Sequence, residues 1–365
     1  MTRTQKSILG FLSVLVCLTW VIFFFLTSEG YRAWSRQPLG PTLISSTERQ
    51  LPATWTAAPI QPITTAPTLI LETPTPASPF LACNNIPIMT ILAIGTDVRP
   101  GEQRSGLTDV MRAVRVDFAN QRVTMLEFPR DLSVKIPGME HHQKLNTAYA
   151  YGNPDHGPSF LAQTLNLNFG LKVDHYIVAN MTVFAEVVDA LGGLDIVIPP
   201  GGIDGRTSTD RSERLVFPEG LQHLNGEQAL TLARLRNKSV FTRAQNQNLV
   251  MCALRKKIES PEVILRLPVI IDSFMDNIQT DLTPGQISQL ACLGTQMPRN
   301  NILFAAFPRE LFRSAEVYDP ILKLDVSIWE ANFRTLSEYV SGFQDGTWPS
   351  GVTSGTPEPE ASSCD

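Results

Sequence analysis

The order of apolar and polar positions along the chain predicts a domain of mixed strands and helices. Residues 87–95 form an apolar run typical of a buried strand, and residues 110–117 and 123–128 predict two more strands around a hairpin turn at 118–121. The other predicted strands are 176–179, 194–198 and 301–306. Helical spacing and capping residues predict helices at 158–168, 182–191, 225–233, 241–259, 261–276, from 283 onward and at 326–343. Strands interleaved with helices are typical of a layered α/β/α domain.

An uncharged apolar segment at residues 8–26 is long enough to cross a bilayer. Its Phe-rich end lacks the small-residue cleavage pattern, which favours a retained anchor over a cleaved signal peptide. Basic residues lie on both sides of the segment, and the α-amino group favours an inside N-terminus. We therefore predict a cytoplasmic N-terminus at 1–7, one transmembrane helix at 8–26, and a single-pass protein whose C-terminal domain is extracytoplasmic.

The composition changes on both sides of the predicted domain, which spans 87–343. Residues 27–86 are rich in Pro and Thr and lack the alternation needed for a core, which predicts an extended tether that lifts the domain off the membrane. The tail at 344–365 is rich in Gly, Ser, Pro and Glu, and we expect it to be disordered.

Charge and cysteine content exclude some classes of function. The chain of 365 residues has a net charge of −5 and no helix-turn-helix signature, so no nucleic-acid partner is expected. Five cysteines form neither metal-ligand pairs nor a dense disulfide framework. We expect Cys252 and Cys292 to be separate buried thiols, with a bond between them as the alternative in an oxidising compartment. No nucleophilic serine elbow or zinc motif is present.

The candidate chemistry lies in two carboxylates and a set of basic residues. Asp97 follows the first buried strand and Asp109 opens the next one, so adjoining strand edges would let both carboxylates hold one Mg²⁺ ion. Guanidiniums form forked hydrogen bonds to phosphoryl oxygens, so a metal-chelated diphosphate is the ligand that these groups suit. The alternative is that the carboxylates cap local turns and the basic residues form surface ion pairs. The candidate diphosphate-binding residues are Arg99, Arg104, Arg130, Arg234, Arg236, Arg243 and Gln247.

Several short motifs around these residues resemble the LytR-CpsA-Psr family of cell-envelope proteins. The first is Ile91 to Arg99, with a Gly-x-Asp-x-Arg loop, and the last is Arg243 with Gln247. Between them, in the family's order, come the motifs at 108–111, 128–131, 144–149, 190–195, 224–230 and 233–236. The resemblance covers residues 87–258 and continues more weakly toward residue 343.

The resemblance implies an α/β domain with a central mixed β-sheet and a Mg²⁺-dependent phosphotransferase. Such an enzyme moves a glycopolymer from a polyprenyl diphosphate carrier to peptidoglycan or a related wall acceptor. By motif position, Asp97, Asp109, Arg130, Arg236 and Arg243 would be the catalytic residues. The family also has an apolar channel for the lipid tail. Candidate wall residues, which are also ordinary core residues, are Phe160, Leu161, Ile177, Phe184, Val187 and Val188.

The chain departs from the family pattern at charged positions. Leu107 stands where an arginine is usual, and Arg104, three residues earlier, is a candidate replacement. Val240 and Asn246 stand where the family often has an aspartate and a second arginine. Three other functions therefore stay open: a polyprenyl diphosphate hydrolase, a non-catalytic binder of lipid-linked glycans, and a transcriptional regulator. The anchor and the acidic composition oppose the last of these.

Overall fold

The structure is a computed structural model, and it describes most of the domain that the sequence predicts. The described residues are 32, 34–43, 83, 87–96, 106–206, 214–235, 240–258, 260, 263, 278–319, 324–349 and 361–363. The strands are β1 (Ile88–Thr96), β2 (Thr108–Asp117), β3 (Arg122–Glu127), β4 (Ser133–Val134), β5 (Gln143–Lys144), β6 (His175–Asn180), β7 (Leu194–Ile198), β8 (Ile203–Gly205), β9 (Leu215–Phe217), β10 (Gly220–Leu224), β11 (Ile278–Thr280), β12 (Ile302–Ala305), β13 (Phe312–Asp319), β14 (Leu324–Ala331) and β15 (Ala361–Ser363). The helices are α1 (Ala148–Tyr151), α2 (Asn153–Phe169), α3 (Met181–Ala190), α4 (Gly226–Arg234), α5 (Val240–Ile258), α6 (Pro284–Gln296) and α7 (Phe333–Asp345).

A seven-stranded sheet forms the centre of the domain, in the order β11-β6-β1-β2-β3-β12-β15. β1 pairs parallel with β6 and antiparallel with β2, and β3 pairs antiparallel with β2 and parallel with β12. The sheet is therefore mixed, as expected. The predicted hairpin joins β2 to β3, with Gln121 at a φ of 48° in the turn.

Alternation along β1 explains why the sheet is covered on both faces. Leu92 and Ile94 pack into a core cluster with residues of α2 and α7, whereas Met89 and Ile91 pack into a second cluster with residues of α6. Successive strand residues point to opposite faces, so an uninterrupted apolar strand needs a layer on each side. The predicted α/β/α layering is confirmed.

A smaller subdomain, with two hairpin sheets and three helices among its described residues, lies between β6 and β11 in the chain. β7 pairs with β10 and β8 pairs with β9, and a separate apolar cluster joins β7 to α4 and α5. Asn225 and Gln228 form a capping box at the start of α4, where the backbone N–H of Gln228 donates to the Asn225 side chain and the backbone N–H of Asn225 donates to the Gln228 side chain. The capping box fixes the residue at which α4 begins. The last residue of α4 is Arg234.

The prediction of one helix at 326–343 was wrong in its first part. β14 occupies Leu324–Ala331 and pairs antiparallel with β13, a strand that was not predicted. Asn332 then caps α7 by accepting from the backbone N–H of Arg334. β-Branched and aromatic residues in 326–331 favour a strand once a partner strand is available.

Two stretches of the tail that was expected to be disordered have defined structure. The Trp348 ring packs on Tyr339 and Phe307, with centroid separations of 5.0 Å and 6.3 Å. Ala361–Ser363 forms β15 and pairs with β12 at the sheet edge.

The cysteine prediction was also wrong. Cys292 on α6 forms a disulfide with Cys83, and Cys252 on α5 is disulfide-bonded rather than a free thiol. The Cys83–Cys292 bond ties the chain just before β1 to the helix that covers one face of the sheet. Sequence spacing could not indicate this bond because the two cysteines are 209 residues apart.

Two predicted helices, at 8–26 and 261–276, lie outside the described residues apart from Val263. Within the described part of the chain, no helix has both the length and the apolar character needed to cross a membrane.

Candidate functional site

A β-bulge places Asp109 at the end of the central sheet. Thr96 pairs with Thr108 and Gly95 pairs with Val110, so Asp109 is an extra residue in β2 with no partner on β1. Bulges of this kind redirect a side chain and are common next to functional sites. In a regular strand, residues 109 and 112 would point to opposite faces. Here both side chains contact residues of α5.

Two arginines bind the Asp109 carboxylate. Arg130, which follows β3, forms an ion pair through Nη1 with Oδ1 of Asp109. Arg243, in the first turns of α5, places Nη2 3.2 Å from Oδ2 and donates to the backbone carbonyl oxygen of Asp109 at 3.3 Å. Burial lowers the pKa of Arg243, while the Asp109 carboxylate opposes that shift. Asp109 and Arg243 are only 8% and 5% exposed, so this ion pair is largely shielded from water.

A second buried arginine connects β2 to the same helix. Arg112 donates through Nη2 to Glu127 Oε2 at 2.7 Å and to Gln247 Oε1 at 3.1 Å. Its Nη1 donates to Asn248 Oδ1 at 2.8 Å, and its guanidinium lies 5.7 Å from the centre of the Phe304 ring. Gln247 is therefore held one helical turn beyond Arg243 by a residue of the central strand.

The loop that carries Asn146 forms the other wall of the site. The Asn146 N–H donates to the carbonyl oxygen of Arg130 at 3.0 Å, and Thr108 Oγ1 donates to the carbonyl oxygen of Asn146 at 3.2 Å. Asp131 joins this loop to Arg130, since its oxygens lie 3.2 Å from Lys144 Nζ and 3.4 Å from Arg130 Nε. Lys144 thus helps to order this loop through its ion pair with Asp131.

Buried polar atoms without a hydrogen-bond partner in the described part of the chain occur on Arg243, on the Asn146 loop and on α5. Asn146 Oδ1, Arg243 Nε and Asn246 Nδ2 have no hydrogen-bond partner among the described residues. An unpaired buried polar atom costs about 1–3 kcal/mol, so such atoms are typical of places where a ligand or water completes the bonding. The two nitrogens are donors and suit an anion.

The structure describes only some of the remaining predicted site residues. Asp97, Arg99, Arg104 and Arg236 lie outside the described residues. No hydrogen bond or ion pair among the described residues joins Arg234 to Asp109, Arg130 or Arg243. Arg234 is the last residue of α4. Its Nε atom is buried and has no hydrogen-bond partner among the described residues.

Arg112 is the residue that sequence reasoning missed. The signal was available, since Arg112 interrupts the apolar run of β2 and a charge in a strand covered on both faces must find partners. The family resemblance did not point to Arg112, because this residue lies outside the motif at 108–111.

The candidate lipid-channel residues belong to several different apolar clusters. Leu161 and Val188 are fully buried in different apolar clusters, and Ile177 packs into a third. These side chains act as core at three separate places. Nor do the described residues contain a group of three or more His, Cys, Asp or Glu side chains that could hold a metal ion.

The layered sheet and the arginines around Asp109 define an α/β/α protein with a buried carboxylate and two guanidiniums at one end of its central sheet. The sequence model of the LytR_cpsA_psr family matches residues 77–329, which is more than half of the chain. The chain belongs to the LytR_cpsA_psr family, as its motifs suggested.

Curated relatives match about half of the chain. The polyisoprenyl-teichoic acid–peptidoglycan teichoic acid transferase TagV of Bacillus subtilis is 28% identical over 198 residues, covering 53% of this chain and 49% of TagV. The regulatory protein MsrR of Staphylococcus aureus is 30% identical over 205 residues, covering 55% of this chain and 58% of MsrR. The chain thus spans about half the length of these curated relatives.

Solved structures support the same fold. The crystal structure of B. subtilis TagV has a TM-score of 0.55 at 23% identity, covering 71% of this chain and 97% of that one. The structure of TagT bound to LI-WTA has a TM-score of 0.53 at 22% identity, covering 71% and 90%. At these identities the likeness establishes the fold alone.

Proposed function

We propose that this protein is a membrane-anchored phosphotransferase that moves a glycopolymer from a polyprenyl diphosphate carrier to peptidoglycan or a related wall acceptor. The observation that carries the proposal is the position of Arg130 and Arg243 on either side of Asp109, beside buried donors that lack partners. The transferase name of TagV and the family membership give the reaction class.

The described arginines retain donors for a phosphate. A guanidinium has five N–H donors, and Arg243 uses only Nη2 in the contacts with Asp109, while its Nε stays unpartnered among the described residues. Asp109 orients both guanidiniums, so little reorganisation is needed when a diphosphate binds. Preorganised cations of this kind stabilise the charge that develops during phosphoryl transfer.

The proposed reaction exchanges the phosphoanhydride bond of the diphosphate for a phosphodiester bond to the acceptor. An acceptor hydroxyl oxygen attacks the phosphorus that carries the glycan, and the bond from this phosphorus to the bridging oxygen breaks. The hydroxyl proton passes to a base, and polyprenyl monophosphate leaves with the electron pair of the broken bond. Arg130 and Arg243 would hold the phosphoryl oxygens in line and balance the negative charge on the leaving phosphate.

Magnesium remains part of the proposal, with Asp97 and Asp109 as its ligands. The donor chemistry suits the ion, since Mg²⁺ prefers carboxylate oxygens and usually keeps several waters. β1 ends at Thr96 opposite Thr108, so the chain leaves the sheet beside Asp109 on its way to residue 97. When bound, the ion would neutralise charge on the diphosphate. Both Asp109 oxygens already accept from guanidiniums, so a metal would have to share them with Arg130 and Arg243.

An extracytoplasmic location is supported by the disulfide chemistry. The bond between Cys83 and Cys292 is of a kind that persists outside the reducing cytosol. This agrees with the predicted membrane helix at 8–26 and with a substrate displayed on the extracytoplasmic surface of the membrane.

A non-catalytic binder of lipid-linked glycans is the second candidate. Leu107 is 40% exposed one residue from Thr108, and Asn246 is buried where the family often has a second arginine. The site therefore has fewer cations than the family pattern, which favours binding without fast turnover.

Diphosphate cleavage by the purified full chain, with and without an acceptor glycan, separates these functions. A transferase joins the glycan to the acceptor and releases polyprenyl monophosphate only when acceptor is present. Release of monophosphate without acceptor would identify a hydrolase, and tight binding without either product would identify a binder. Arg334→Lys is the matched control for changes at the site arginines, because the Arg334 side chain is 90% exposed on α7.

A further inference from the structure

The chain segment at 34–43, which lies within the extended tether predicted at 27–86, packs on the folded domain. The Gly285 N–H donates to the Ser35 carbonyl oxygen at 3.0 Å, and the Leu39 N–H donates to the Leu282 carbonyl oxygen at 3.2 Å. Both partners lie at the start of α6. The segment is therefore bound by backbone hydrogen bonds rather than by loose side-chain contact.

The second half of the segment is anchored more deeply. The buried Tyr176 donates from its hydroxyl to the Pro41 carbonyl oxygen at 2.8 Å, and Leu43 packs against the main core cluster. Gly40 lies so close to β11 that a Cβ added there would be 2.6 Å from the Thr280 carbonyl oxygen. Only glycine fits at this approach.

These contacts change the expected role of the Pro/Thr-rich stretch. Residue 43 is packed on the domain at one end of the stretch, and Cys83 is bonded to Cys292 at the other. The two ends of the stretch at 44–82 are thus held by the same domain, so its length adds nothing to the distance between the domain and the membrane. From residue 26 to residue 34 there are eight steps, which span at most about 29 Å when fully extended.

The outer side of the packed segment has the chemistry of a bilayer interface. Trp34 and Leu39 are 53% and 40% exposed, and the Arg36 side chain is exposed between them. Tryptophan is enriched at headgroup level, and arginine is attracted to anionic lipid. This Trp34–Leu39 face begins eight residues after the end of the predicted membrane helix.

We infer that the Trp34–Leu39 face lies on the anionic bilayer surface and holds the domain against the membrane. The inference rests on the membrane anchoring in the proposed function and adds where the domain sits. Substrate would then be taken up at the membrane surface, where a lipid-linked donor resides, instead of at the end of a long tether.

The position of Trp34 can be measured with the full chain in vesicles of phosphatidylglycerol and phosphatidylcholine. The fluorescence difference between wild type and Trp34→Phe isolates this residue from the other tryptophans. We expect that difference to fall at least about twofold with lipids brominated near the headgroup, and to be protected from aqueous iodide. Quenching by iodide and not by brominated lipid would overturn the inference.

The height of the domain needs a second measurement, by neutron reflectometry on a supported bilayer of the same lipids. We expect no water layer between bilayer and domain in the wild type or in Gly294→Ala, a control whose added Cβ meets nothing within 4 Å. Gly40→Val should release the segment and open a water layer, and Tyr176→Phe is the substitute if that variant misfolds. A water layer in the wild type would contradict the inference. Because neither the vesicles nor the supported bilayer contain polyprenyl diphosphate or acceptor, both results are independent of the transfer reaction.

Discussion

Arg112 Nη2 lies 3.1 Å from Gln247 Oε1, so a residue of the central strand fixes the helix that presents Arg243 to Asp109. Arg112 also pairs with Glu127 on the neighbouring strand. The strand and the helix are thereby locked in register through one guanidinium. In the proposed function Arg112 is a positioning residue, because its contacts reach the site only through α5.

Substitution of Arg112 should therefore distinguish its contribution to stability from its contribution to activity. We expect Arg112→Met to lower the free energy of unfolding by about 3–5 kcal/mol, because Glu127 is left as an unpaired charge. Arg112→Met combined with Glu127→Met should recover most of that stability in urea unfolding, while kcat for glycan transfer stays low because Gln247 has lost its anchor. Full activity in the double variant would show that the anchor is not needed.

The transfer activity should require a guanidinium, and not merely a positive charge, at both Arg130 and Arg243. We expect Arg130→Lys and Arg243→Lys to lower kcat/KM for transfer about tenfold, since lysine cannot hold Asp109 and a phosphoryl oxygen in the same fork. The alanine variants should lose more. Arg334→Lys should match the wild type, and equal losses at Arg334 would indicate a general effect of surface charge.

Asp109 should contribute to stability as well as to chemistry. The Asp109→Asn change leaves the buried Arg243 without its ion pair, so we expect a loss of about 3–5 kcal/mol in urea unfolding together with loss of transfer. Asp204 is the matched control, because its ion pair with Arg214 lies at the surface. Asp204→Asn should change the free energy of unfolding by less than about 1 kcal/mol. Equal effects at the two positions would contradict the buried-pair interpretation.

Leu107 tests whether the missing arginine limits turnover. Its side chain is 40% exposed, so Leu107→Arg disturbs little packing and adds a cation near Asp109. We expect turnover on a polyprenyl diphosphate to rise in this variant and to change little in Arg104→Ala. The reverse pattern, with Arg104→Ala damaging and Leu107→Arg neutral, would mean that Arg104 already supplies the cation.

The pH dependence of stability should contain a contribution from Asp117, on the sheet face opposite Arg112. Burial raises the pKa of Asp117, but hydrogen bonds from Asn120 and Arg115 outweigh it, so the net pKa lies below the usual 3.8. Such a group stabilises the fold above its ordinary pKa and loses that effect as pH falls through the lowered value. Asp117→Asn should cost about 1–3 kcal/mol at neutral pH and much less near pH 2, measured by urea unfolding. A difference that does not change with pH would refute this assignment.

Local pattern was enough to predict elements whose signal lies within one stretch of chain. The apolar run of β1, the hairpin after β2 and the capping residue Asn225 are all of this kind. The strand at 324–331 was missed because it depends on pairing with β13, which was not itself predicted. Asn332 was the available signal that a helix begins later.

The site was predictable as a set of residue types but not as a geometry. Asp109, Arg130 and Arg243 were chosen by motif, and the structure brings all three together. That Asp109 faces α5 depends on the bulge in the pairing of β2 with β1, which no local pattern contains. The buried anchor at Arg112 likewise depends on α5 crossing the strand at that point.

The bulge at Asp109 has a consequence for insertions and deletions in this chain. If residue 109 is removed, Thr108 and Val110 become neighbours and still pair with Thr96 and Gly95, so the ladder closes without a gap. The sheet would keep its order while Arg130 and Arg243 lose the carboxylate between them. The number of residues in β2, as much as their identity, therefore determines whether this fold has its site.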